Sequence, residues 1–116
     1  MRKKDRIRVK IKAIQKNMII KEPKKTLGAV RLLELDVLKP HDPGVEVFAE
    51  EIVGVKGVEG VDISTVEIDA RTETLKVRIE GSGIDLLEVS KKIRSLGGTV
   101  HSVDRVTAAR ADTGVD

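Results

Sequence analysis

Hydrophobic and polar positions follow two periodicities that take turns along the chain. Residues 30–38, VRLLELDVL, set Leu33, Leu35 and Val37 on one face and Glu34 and Asp36 on the other, the period of a strand. KPHDPG interrupts it. Asp42–Pro43 then reads as a helix start, with Asp as N-cap and Pro in the first turn. From Pro43 to about Val55, one apolar stripe carries Val45, Phe48, Ile52 and Val55, and the glycines of GVEG close it. Residues 61–69, VDISTVEID, predict a second strand. Its apolar phase flips between Val61/Ile63 and Val66/Ile68, which places a bulge near Ser64–Thr65. After a polar hairpin, residues 75–80 alternate again, with Leu75, Val77 and Ile79 inward. Asp85 and Glu88 form a capping box for a second helix that runs to Leu96 and buries Leu86, Val89, Ile93 and Leu96. Residues 99–108 form the fourth strand after Gly97–Gly98.

The element order is β-α-β-β-α-β. It predicts an α+β, ferredoxin-like sandwich: a four-stranded antiparallel sheet in the order 4-1-3-2 with two helices on one face. The other face is left open, with Glu34, Asp36, Lys76, Arg78 and Glu80 on it. Asp36 and Arg78 are expected as cross-strand partners, and the face is expected to associate.

Charge divides the 116 residues differently. Residues 1–28 hold 11 of the 22 Lys and Arg and only Asp5 and Glu22 as acids, so that stretch is near +9 and the remainder near −6. The domains are therefore a basic arm and linker over 1–28, a ferredoxin-like domain over 29–110 and a frayed tail over 111–116. Within the arm, RIRVKIK alternates strictly, with Ile7, Val9 and Ile11 on one side and Arg6, Arg8, Lys10 and Lys12 on the other. Those four cations are candidates for nucleic-acid phosphates by counterion release; the plainer reading is a loosely ordered tail, or sequence upstream of a second start at Met18.

Composition removes several classes of function. No cysteine is present, which excludes disulfides, thiolate metal sites and Cys nucleophiles and agrees with a cytoplasmic location. No apolar run reaches the roughly 18 residues of a membrane helix, and no signal peptide is recognisable. Phe48 is the lone aromatic residue, so a base-stacking RNA platform on the sheet is excluded. EGSGID lacks the third glycine of a dinucleotide fingerprint and the Gly-Lys of a P-loop.

The segments LDVLKPHDP (35–43), GVEGVDIS with EID (57–69) and GGTVHSVDRV (97–106) together resemble a small archaeal family of unknown function, catalogued as number two hundred and eleven. The resemblance covers residues 30–110 or so. It implies a ferredoxin-like fold and cyclic homo-oligomers, and it carries no known activity.

GGTVHSVD also brings His101, Ser102 and Asp104 close in sequence. Successive strand residues face opposite ways, so His101 and Ser102 diverge and no relay forms there. Reading strand three as parallel to strand one gathers a different set at one sheet end: His41, Asp42, His101, Asp62 and Glu80, with the loop to Asp85. Mixed His and carboxylate ligands suit a divalent cation; the competing reading makes them helix caps and solvated side chains. The expected function is a non-enzymatic homo-oligomeric module that binds a cation or small ligand at the strand-1/strand-4 edge. The alternative is a nucleic-acid-associated protein acting through the arm.

Overall fold

The computed structural model describes residues 27–110. Its elements are β1 (Gly28–Pro40), α1 (Val45–Ile52), β2 (Val58–Ile68), β3 (Thr72–Gly81), α2 (Leu86–Ser95) and β4 (Thr99–Arg110), in the expected order. The sheet runs β2-β3-β1-β4. The predicted arm, with Arg6, Arg8, Lys10 and Lys12, lies outside the described residues, as does the predicted tail over 111–116.

The core follows from the alternation. Leu33, Leu35 and Val37 of β1 and Leu75, Val77 and Ile79 of β3 are buried under Phe48 and Ile52 of α1 and Val89 and Ile93 of α2. All six sheet residues come from the two central strands, and both helices cover that one face. α2 starts on Asp85, whose carboxylate accepts from the backbone N–H groups of Leu87 at 2.9 Å and Glu88 at 3.4 Å. The box is half made, because Glu88 pairs with Lys91 instead of reaching back. Leu86 was expected in the core but stays 36% exposed on the first turn.

α1 departs further. Its N-cap is Gly44, with no side-chain cap, and the helix ends at Ile52. Asp42 precedes a cis peptide to Pro43 and caps nothing. The start signal is real but displaced by two residues.

The predicted irregularity of β2 resolves as a bulge, and β4 carries bulges that the pattern did not predict. In β2 the register shifts between Thr65 and Glu67, which leaves Val66 as the extra residue, one position beyond the expected bulge. A second shift between Val58 and Gly60 leaves Glu59 extra. β4 carries two shifts, with His101 and Asp104 as extra residues. The G-x-G of EGSGID is structural. A Cβ on Gly81 would collide with the backbone of Gly57, and Gly83 adopts φ +74°.

Candidate functional site

β1 and β3 are antiparallel, with Leu32 opposite Glu80 and Pro40 opposite Thr72. This corrects the parallel reading and separates the expected edge set. The α1 crossover makes β2 parallel to β1, and the β2–β3 hairpin then reverses β3. Glu80 therefore lies beside the start of β1, roughly 27 Å along the strands from Pro40. Asp62 pairs in register with Arg78 and so sits level with Glu34, well short of His41. Asp85 begins α2 at the far end, where the backbone N–H of Ile84 donates to Val30 O. His101 is an exposed bulge residue beside Asp36 and Val37. Among the described residues no group of three or more His, Asp or Glu is placed to hold a metal ion. Ser102 Oγ donates to Asp104 Oδ1 at 2.8 Å, and His101 takes no part.

His41 has a different set of partners. The β1 alternation continues one step past Val37, so Lys39 occupies a core-facing position and is 1% exposed. Its ammonium donates to Pro40 O at 2.7 Å, His41 O at 3.1 Å and Glu73 Oε1 at 3.2 Å, which engages all three protons. It also lies 5.5 Å from the centre of the Phe48 ring. The other Glu73 oxygen sits 2.9 Å from His41 Nδ1, and His41 Nε2 is 3.0 Å from Ala70 O. Both ring nitrogens face acceptors. A neutral imidazole can donate to only one of them, so the pair selects the imidazolium. Accordingly the bond to Glu73, then that to Ala70, raises the His41 pKa, while His41 and Lys39 lower that of Glu73. This Lys39–Glu73–His41 clasp ties the end of β1 to the β2–β3 hairpin. Glu73 gave no signal in the sequence; Lys39 did, as a charge in the phase of Leu33, Leu35 and Val37.

The open sheet face carries the second arrangement. Lys76 lies between two carboxylates, 2.9 Å from Asp36 Oδ1 and 3.4 Å from Asp104 Oδ2. The buried Asp36 Oδ1 accepts no hydrogen bond of regular geometry and is held by charge. Arg78 reaches Glu80 at 3.2 Å and Glu34 at 3.8 Å. The expected Asp36–Arg78 pair is thus replaced by Asp36–Lys76, because Asp36 is directly opposite Lys76 in register. Asp36 and Asp104 raise the pKa of Lys76; Ser102, then Lys76, lowers that of Asp104. Between these pairs lies a concavity of about 260 Å³ lined by Glu34, Asp62, Ser64, Lys76, Arg78 and Asp104 among others.

The family comparison agrees with the fold. Residues 31–111 match the family DUF211, described as "Uncharacterized ArCR, COG1888". The chain belongs to this family. An uncharacterized protein of Methanocaldococcus jannaschii is 42% identical over 84 residues, which cover 72% of this chain and 87% of that relative. The matched region begins inside β1, so residues 1–28 fall outside it. No helix among the described residues is long and apolar enough to cross a membrane.

Proposed function

We propose that this DUF211 chain is a non-enzymatic, homo-oligomeric module that self-associates through the open face of its sheet. The observation that carries this reading is a four-stranded face with no layer over it among the described residues. Both helices pack on the opposite side. Leu38, 39% exposed, lies on the open face beside Thr74 and Thr99. The charges at its centre are already paired within the chain, Lys76 with Asp36 and Asp104, and Arg78 with Glu34 and Glu80. Paired charges lose less on desolvation than isolated ones, so such a face can be covered by a second copy. The implied cyclic assembly needs a head-to-tail contact, in which this face meets a different surface of the next copy.

Light scattering at micromolar concentration tests the assembly. The expected mass is a multiple of 12.7 kDa, reduced in Leu38→Glu. A monomeric wild-type chain removes the proposal.

A further inference from the structure

The β2 edge lacks the cations that commonly blunt an edge strand. Edge strands are ordinarily blunted by lysine, proline or similar devices against pairing with another strand. β2, VEGVDISTVEI, contains neither, and no cation at all. Its carboxylates Glu59, Asp62 and Glu67 are exposed and enter no ion pair among the described residues, while the carboxylates of the other strands, Glu34, Asp36, Glu73, Glu80 and Asp104, are all paired. Register sorts the strand into two rows. Asp62, Ser64 and Glu67 lie opposite Arg78, Lys76 and Thr74 on the open face. Val61, Ile63 and Ile68 lie on the helix side, with Ile68 66% exposed. The bulges at Glu59 and Val66 bracket a regular stretch, Gly60–Thr65, whose outward N–H and C=O groups have no strand beside them among the described residues.

The same chain contains the complement of this edge. RIRVKIK, residues 6–12, alternates Arg6, Arg8, Lys10 and Lys12 with Ile7, Val9 and Ile11. Laid beside β2, its cations continue the acidic row and its apolar residues continue the helix-side row, a strand-addition geometry. The connection is long enough. The start of β1 and the start of β2 lie at the same end of the sheet, since Leu32 and Gly60 are both opposite Glu80. A strand outside β2 lies three strand spacings from β1, about 14 Å. The intervening residues 13–27 span up to roughly 50 Å when extended. The other edge fits less well: β4 carries Arg105 and Arg110, of the same sign as the arm.

We propose that residues 6–12 add to the β2 edge of their own chain as a fifth strand, basic side over the acidic row. The inference is independent of the assembly proposed above.

Amide exchange and paramagnetic labelling of the full chain test it. The outward amides of Gly60–Thr65, those not bonded to β3, are expected to exchange at least tenfold more slowly than exposed amides. Protection is expected to be lost when Arg6, Arg8, Lys10 and Lys12 are all changed to Glu, with the core amides unchanged. Because the chain has no cysteine, a nitroxide on Val9→Cys is the sole label; it is expected to broaden Gly60–Thr65 in its own molecule. Unprotected outward amides overturn the proposal. So does protection that survives the quadruple change, which assigns the edge to another copy's sheet. Broadening seen only between differently labelled copies also overturns it, because the arm is then supplied by a neighbour.

Discussion

Lys39 shows how a single charge acquires a role from strand phase. Alternation alone puts it in the core, where an unpaired ammonium is costly; two carbonyls, Glu73 and the Phe48 face receive it. The clasp makes folding sensitive to pH at both ends. The His41 pKa is raised in the folded chain, so its contribution is complete below about 6.5 and is lost as pH rises through the folded value. The Glu73 pKa is lowered, so its contribution is complete above about 4.5 and is lost as pH falls through its folded value. Thermal unfolding of the full chain is therefore expected to show a fall in Tm on going from pH 6 to pH 9 that His41→Gln abolishes. An unchanged slope in His41→Gln contradicts the clasp. The sequence displayed half of this site. Lys39 breaks the apolar phase and is visible; Glu73 lies 34 residues away and meets it only through the β1–β3 register.

Two Asp residues that look alike as helix caps separate at the level of the element. Asp85 accepts from two backbone N–H groups of α2, whereas Asp42 stands outside an α1 that begins after Gly44. Asp85→Ala is expected to cost about 1 kcal/mol, the usual value of a lost cap. Asp42→Ala is expected to stay within about 0.5 kcal/mol, as for an exposed residue with no partner among the described residues. Paired denaturant titrations with equal m-values measure both. β4 makes the same point for strands. Val100, Val103 and Val106 are spaced by three, a period foreign to a strand. The extra residues His101 and Asp104 nevertheless bring all three to the side of Val37, Leu35 and Leu33. Alternation predicts strand existence here but not facing, because a bulge inserts one residue without a compositional mark. In β2 the apolar phase flip did leave such a mark, and the bulge was legible to within one residue.

At the scale of the whole molecule, element order was legible because each period is long and cleanly bounded, but the sense of β3 is a property of connections and not of any segment. One error there misplaced Glu80, Asp62 and Asp85, while the six elements kept the order and type that the pattern gave them. The topology also sets how stability is distributed. β1 and β3 are paired on both sides and supply Leu33, Leu35, Val37, Leu75, Val77 and Ile79 to the core. The end of β2 supplies nothing comparable: Val66 is 56% and Ile68 66% exposed beyond the bulge. Local opening is cheapest where buried contacts are few. Native-state exchange is thus expected to place the central-strand amides at the global unfolding limit. Glu67, in register with Thr74 of β3 and in the hydrogen-bonded phase set by Asp69 N–H donating to Thr72 O, is expected to open well below it, with little dependence on denaturant. Equal protection at Glu67 and Val77 would mean that the hairpin end unfolds only with the core, and that the two central strands do not set the order of opening.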